Sequence, residues 1–383
     1  MPDAELVTEV ERLAELTPEW DALAAECGMP QLSPAWVLAW WRHVAPPGAA
    51  LRAVVVRDGD ALAGLAPYYV ERGTGGRVDY RLPGIEIAGR LAPLARTGRE
   101  WDVAEAIGAA LAGADPRPDA LLFEAAPVEA LWGAALRERW PGPLRPRLWR
   151  TNLDACPLMT LREESFDAWL AGKSSNFRGQ MRRLRRRFAE AGGSSRLATR
   201  ETLADDAATL TRLHAMRWVG RGHSNLVDLG DRFSAMVQDA GERLLEDGRL
   251  SLRVLELDGE PVCAQLFLAA GATALFVNGG WDERHADLKP SLLCLLDAVE
   301  DAFARGAQRI DLGVGQQSYK LRFADGSMPV EWGVLMAPGR RLPLTALRTA
   351  PAFARSELRA GALRVLSDEQ VERLRTAQRR LRR

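Results

Sequence analysis

With 383 residues, 47% of them hydrophobic and 27% charged, the chain can bury two cores of ordinary size and lies outside the compositional range of disordered proteins. Its 51 basic and 51 acidic side chains cancel, which excludes a global field drawing in nucleic acid or anionic lipid, so any electrostatic recognition must be local. Cys27, Cys156, Cys263 and Cys294 are too scattered for a CxxC pair or a His-Cys cluster, so neither a disulfide scaffold nor a metal site is expected.

The opening Met1-Pro-Asp-Ala-Glu lacks the basic and apolar regions of a secretion signal, and no apolar run approaches the roughly 20 residues of a membrane span. A cytoplasmic protein with no membrane span is the expectation. In the first half, Pro34 to Val44 reads as a helix, and Val54 to Tyr69 reads as two apolar strands joined at the Asp58-Gly59 turn. A helix over Trp101 to Leu111 and a strand over Ala120 to Glu124 follow. The same order recurs later: a helix over Phe233 to Glu246, a hairpin over Val254 to Ala269 turning at Asp258-Gly259, a helix over Ser291 to Arg305 and a strand over Arg309 to Gly313. One Asp-Gly hairpin is common by chance; agreement of the flanking elements makes it a duplication.

Between the two copies, Pro141 to Asp154 is rich in proline and arginine and has no sustained apolar period, which predicts a boundary. The expected division is residues 1–150, residues 151–340, and an Arg-rich helical tail over 341–383. The tail reads as a solvated helix pair, a packing arm against the first half, or a contact surface.

Four segments of the second copy could carry chemistry. In Ser174 to Phe188, the residues Phe177, Met181, Leu184 and Phe188 share one helical face. Lys173, Arg178, Arg182, Arg183, Arg185, Arg186 and Arg187 surround it. Ser174, Ser175 or Asn176 can cap this helix, whose start suits phosphate, pyrophosphate or tRNA backbone; alternatively it is a surface helix that neutralises acidic neighbours. In His214 to Asn225, His214 and His223 are candidates for a base or for capping and packing roles. In Leu275 to Ser291, Gly279-Gly280 would let a ligand approach the backbone, and Pro290 opens a helix whose amides can hold an anion, with Asp282, His285 and Lys289 beside it. In Ile310 to Gly326, a strand and a GVG turn lead to a short helix where Tyr319 could protonate a leaving thiolate while Lys320 and Arg322 neutralise phosphate. Neither GxGxxG nor GxxxxGK[ST] occurs there, so the nucleotide-fold readings are discarded.

Taken together, KSSNFRGQMRRLRRRF, LHAMRW, FVNGGWDE with KPSLLCLLDAVEDAFARGAQRIDLG, and QSYKLRFADG resemble the GNAT superfamily, in the branch with paired domains that includes CelD-like acetyltransferases and Fem-type peptidyltransferases. The resemblance spans roughly Phe166 to Glu331; the first half matches only in element order. It implies an α/β fold of two tandem GNAT-like domains, each a mixed sheet with helices on both faces, splayed so that donor and amine enter from opposite sides. The first domain would be non-catalytic and the second an N-acyltransferase acting by direct amine attack. By similarity, Tyr319 and Lys320 would lie near the leaving group, Asp311 or His285 would be the base, and Lys289-Pro290-Ser291 would meet the phosphates of acetyl-CoA or acyl-CoA. DLKPSLL does not match the Q/R-x-x-G-x-G/A pyrophosphate loop of single-domain relatives. The Fem-type branch, whose donor is aminoacyl-tRNA, shares that departure. Three readings follow: acyl-CoA-dependent N-acylation of a small or sugar amine, aminoacyl transfer from charged tRNA, and a catalytically silent binding module.

Overall fold

The computed structural model describes residues 2–73, 75–218, 224–315 and 317–365; His223 and the end of the tail lie outside them. In the first half, strand β1 (Asp3–Val7) is followed by helices α1 (Val10–Ala14), α2 (Thr17–Glu26) and α3 (Pro34–His43), then β2 (Ala50–Asp58), β3 (Ala61–Gly73), β4 (Arg77–Arg81) and the short β5 (Leu94–Ala95). Helix α4 (Glu100–Ala112), β6 (Ala120–Pro127), α5 (Trp132–Arg139) and the long β7 (Arg147–Thr160) complete it. The second half runs α6 (Phe166–Gly172), α7 (Ser175–Glu190), β8 (Gly193–Leu197), α8 (Leu203–Trp218), α9 (Asn225–Leu229), α10 (Asp231–Leu244), β9 (Leu250–Leu257), β10 (Glu260–Ala270) and β11 (Thr273–Trp281). Helix α11 (Pro290–Ala304), β12 (Arg309–Asp311), α12 (Ser318–Leu321), β13 (Gly326–Met336) and α13 (Leu342–Val365) close it.

The duplication is visible in the pairing. Strands β1 to β4 are successive antiparallel neighbours, and β4 then lies parallel to β6 across α4. Strands β8 to β11 repeat this, and β11 lies parallel to β12 across α11. A parallel neighbour needs a crossover, and a helix such as α4 or α11 supplies it. Both hairpins are apolar on both faces because helices cover both: Val54, Val55 and Val56, like Leu252, Val254 and Leu255, are buried.

What departs from a simple pair is the last strand of each copy. The sheet order is β1-β2-β3-β4-β6-β13-β7-β12-β11-β10-β9-β8, with β5 on the side of β3. Strand β7, which ends the first half, pairs with β12 of the second, while β13 inserts between β6 and β7. The two halves therefore share one sheet and, between the clusters each half buries for itself, a common one in which Trp36, Trp40 and Tyr69 pack with Leu213, Phe233 and Met236.

The Pro141 to Asp154 segment, which has no local apolar period, runs into a strand: residues from Arg147 onward form β7. Their extended form comes from pairing along β13, from Arg147 opposite Met336 to Leu158 opposite Gly326, and not from a local apolar pattern. Among the described residues the tail is one helix, α13, and its Phe353 stacks on Trp149 of β7 with ring centroids 4.8 Å apart, as a packing arm would. No described helix is long and apolar enough to cross a membrane.

Candidate active site

Strands β11 and β12 are paired over three residues only, Thr273 with Arg309, Ala274 with Ile310 and Leu275 with Asp311. Beyond that point β12 stops, and its chain turns away along β7, where the Leu312 amide donates to Pro157 O and the Gly315 amide to Ala155 O. Strand β11 continues to Trp281, held by β10, with a bulge at Val277 that breaks the register between Leu266 and Phe267. The edge of β11 from Phe276 onward thus faces a wedge-shaped opening. Helix α11, crossing from β11 to β12, presents its N-terminus at the mouth.

Two cavities occupy the opening. The larger, about 410 Å³, is lined by His214, Arg217, Ser224, Asn278, Tyr319, Lys320 and Trp332 from the second half, and by Ile85 to Gly89 from the first. The smaller, about 280 Å³, is lined by Arg217, Trp281, Lys289, Pro290, Ser291, Ser318, Tyr319 and Arg322. Tyr319 and Arg217 line both. A roomier cavity of about 640 Å³ opens near the other end of α11 and contains none of the predicted site residues. At that end, where Thr273, Ala274 and Ile310 line it, β11 and β12 are still paired.

In the smaller cavity Lys289 precedes α11 with φ 49°, left-handed for a residue with a side chain. Pro290 takes the first helical position, where a missing N–H is no loss, and the Ser291 amide is among the N-terminal donors that a helix leaves for an anion. Arg322 donates to Gln180 of α7 at 2.5 Å, which links the basic helix to this rim. The α7 face is apolar as expected, with Phe177, Met181, Leu184 and Phe188 buried and Ser174 Oγ accepting from the Phe177 amide at 3.2 Å. Arg185 pairs with Asp297 and Glu300, and Arg187 with Asp287, so part of the helix does neutralise acidic neighbours. Arg182 and Arg183 remain exposed.

In the larger cavity, Lys320 is 4% exposed, and burial pushes its ammonium down to about 8; Cys156 and Asp311 oppose the shift. Its Nζ donates to Val314 O at 3.3 Å and lies 5.2 Å from the centre of the Phe276 ring. Lys320 is therefore apart from Lys289, Pro290, Ser291 and Arg322, with which the sequence had grouped it for phosphate binding. An ammonium whose charge burial disfavours, with its Nζ turned to a backbone carbonyl, is poorly suited to holding phosphate. Burial likewise raises the Tyr319 phenol to about 12, with Arg217 opposing, so it stays protonated at neutral pH.

The two predicted bases fall elsewhere. Asp311 is fully buried and faces Arg90 at 3.0 Å, and its Oδ1 accepts from the Gly313 amide at 2.8 Å; it holds the end of β12 to the first half. His285 sits in the short 3-10 turn Glu283–Leu288 and lines neither cavity. Of the Gly279-Gly280 pair, Gly279 lines the larger cavity, whereas Gly280 serves helix packing. A Cβ at Gly280 would stand 2.2 Å from the His214 amide nitrogen and 2.5 Å from Leu213 C, so this glycine lets α8 press on β11. Through that contact His214, 7% exposed and one of the two histidines singled out in the sequence, reaches the cavity. Arg217 was missed as a site residue because only the splay puts it beside Tyr319. The Ile85 to Gly89 wall was missed because it comes from the other half. Among the described residues no three His, Cys, Asp or Glu side chains gather where a metal ion could be held.

Residues 175–321 match the acetyltransferase (GNAT) domain family. No sequence of curated function matches the chain. Among solved structures, the fold is similar to that of FemX, with TM-score 0.58 and 12% identity over 90% of this chain and 99% of that one. It is also similar to the C-terminal domain of a putative lysylphosphatidylglycerol synthetase from Agrobacterium fabrum, with TM-score 0.53 and 11% identity over 88% and 96%. A protein of unknown function from Bacteroides thetaiotaomicron matches with TM-score 0.51 and 10% identity over 88% and 100%. At these identities the likeness is one of fold.

Proposed function

We propose that this chain, an acyltransferase with a GNAT domain in its second half, transfers an acyl group from a thioester, acetyl-CoA or another acyl-CoA, to the nitrogen of a small or sugar amine. The observation that carries this reading is that two cavities meet at Tyr319 and Arg217 beside the unpaired edge of β11. One has the features of a donor site: the start of α11 with Ser291, and the cations Lys289, Arg217 and Arg322 for phosphate. The other, with Lys320 and His214 on its wall, would take the amine. The amine attacks the carbonyl carbon, the backbone edge of β11 orients the donor, and Tyr319 protonates the departing sulfur. Positioning two reactants at such a junction supplies much of the rate by itself. In this reading residues 1–150 are a non-catalytic half that walls the amine site, residues 151–340 are the catalytic half, and 341–383 are a tail. Acyl-CoA is an intracellular metabolite, which fits a cytoplasmic protein.

A second reading replaces the thioester with the ester of an aminoacyl-tRNA. Arg182 and Arg183, exposed on the helix that carries Gln180 to Arg322, favour it. Isothermal titration separates the two. Acetyl-CoA should bind with heat and weak dependence on salt, whereas tRNA should bind with an affinity that falls steeply as salt rises. No heat from any acyl-CoA would remove the first reading.

A further inference from the structure

We propose that Ser224 and His214 form the relay that takes the proton from the attacking nitrogen, an assignment that rests on the acyl-transfer reading above. His214 Nδ1 lies 3.2 Å from Gly279 O, and Nε2 lies 2.9 Å from Ser224 Oγ. A carbonyl oxygen only accepts, so Nδ1 carries the ring hydrogen and Nε2 offers its lone pair. The Ser224 hydroxyl then donates to Nε2, and its oxygen keeps lone pairs for an N–H in the cavity both residues line. The carbonyl that fixes the ring belongs to Gly279, on the same unpaired stretch of β11 along which the donor would lie. A hydroxyl bonded to a base that a third group orients is the geometry of an activated proton carrier.

The other candidates are committed elsewhere: Asp311 to Arg90 and the Gly313 amide, and Lys320 to Val314 O, while His285 is outside the cavity. Burial holds the His214 ring below the usual histidine range, with the Gly279 bond opposing, which keeps it in the neutral, accepting form near pH 7. Arg217, Tyr319, Lys320 and Glu86 are the charged or titratable groups that share its cavity.

The proton balance closes. Attack forms the C–N bond, places a negative charge on the carbonyl oxygen and leaves an acidic proton on the now cationic nitrogen. That proton passes to Ser224 Oγ as the serine proton passes to His214 Nε2. The carbonyl reforms, the C–S bond breaks, and sulfur takes the Tyr319 proton. The imidazolium proton returns through Ser224 and water to the phenolate, so the net transfer is from nitrogen to sulfur.

The test uses Ser224→Ala and His214→Asn in the full chain. Ser224 stands just before α9 without capping it, so losing its hydroxyl leaves the helix start intact. A screen of primary amines and amino sugars with acetyl-CoA, read as thiol release, identifies an acceptor; hydroxylamine is the second probe, because its attached nitrogen gives up a proton with little help. With the alkyl amine, Ser224→Ala should lose about 10²-fold in kcat with the KM for acetyl-CoA unchanged. With hydroxylamine the loss should be several-fold smaller. Wild-type turnover that Ser224→Ala matches overturns the relay alone, and so does an equal loss with both nucleophiles. An acyl group trapped on Ser224, seen by intact-protein mass spectrometry, also overturns it in favour of a covalent route. Wild-type protein that releases no thiol with any amine overturns both the relay and the reading beneath it.

Discussion

Arg90 Nε lies 3.0 Å from Asp311 Oδ2, with the two side chains 4% and 0% exposed, and this contact ties the loop before β5 to the end of β12. Arg90 also donates to Gly28 O and holds a left-handed φ of 65°. A buried pair gains little over apolar replacement, but removing one partner strands a charge. Asp311→Asn should therefore lower stability by about 3–5 kcal/mol, and Asp311→Leu with Arg90→Met should recover much of it. Urea unfolding of the two variants checks this; equal losses would mean the pair is not coupled.

Lys320 gives a pH signature. Its ammonium titrates near 8 in the folded protein and at the ordinary lysine value in the unfolded chain, so between these values the unfolded state binds the extra proton and stability rises with pH. The penalty is fully present below about 8 and is relieved as pH climbs toward the unfolded value. Relative to Lys320→Met, the wild type should gain up to about 3 kcal/mol across that window, measured as denaturant midpoints at several pH values. A pH-independent difference would contradict a buried, depressed lysine.

Tyr319→Phe removes a proton donor and little packing. Turnover of an acyl-CoA should fall about 10²–10⁴-fold with donor affinity within a few-fold of wild type. A comparable loss of affinity would instead make the phenol a binding group.

The separation of Lys320 from the mouth of α11 predicts an ordering of effects on donor binding. Lys289→Ala with Arg322→Ala should weaken coenzyme A titration by about tenfold or more, since each removes a charge-assisted contact. Lys320→Ala should change it little. So should Lys173→Ala, because Lys173 Nζ lies over the Trp169 ring at 4.6 Å.

At Gly280 a methyl group would press on the backbone of α8, which cannot give way as a flexible side chain does. Gly280→Ala should cost about 1–3 kcal/mol and lower turnover by shifting His214. Thermal unfolding together with kcat would register both effects, and an unaltered variant would show that the helix has slack.

The elements with local signals were legible in the sequence. The hairpins at Asp58-Gly59 and Asp258-Gly259, helix α11 opening at Pro290, and α7 with its apolar stripe all lie where the pattern puts them. Strands β7 and β13 were not, because what extends them is pairing with each other, with β6 and with β12, over separations that no local period records. The site divided in the same way. Lys289, Pro290, Ser291, Tyr319 and Arg322 come together as a resemblance of sequence could suggest. Asp311 and His285 are polar groups in suggestive places whose environments only the fold decides. His214, Arg217 and Ser224 gain their relation to Tyr319 from the splay of β11 and β12 and from one glycine that brings α8 close.

The interleaving of β13 between β6 and β7 has an implication for how the protein is made. Strand β6 meets its neighbour through pairs such as Val330 with Pro127, so the emerging N-terminal portion waits for some two hundred further residues before its sheet is whole. Until then β6 is a bare edge, open to wrong partners on other nascent chains. Synthesis interrupted after the first copy should yield aggregating fragments, and the two pieces produced together have the complementary edges to reassemble.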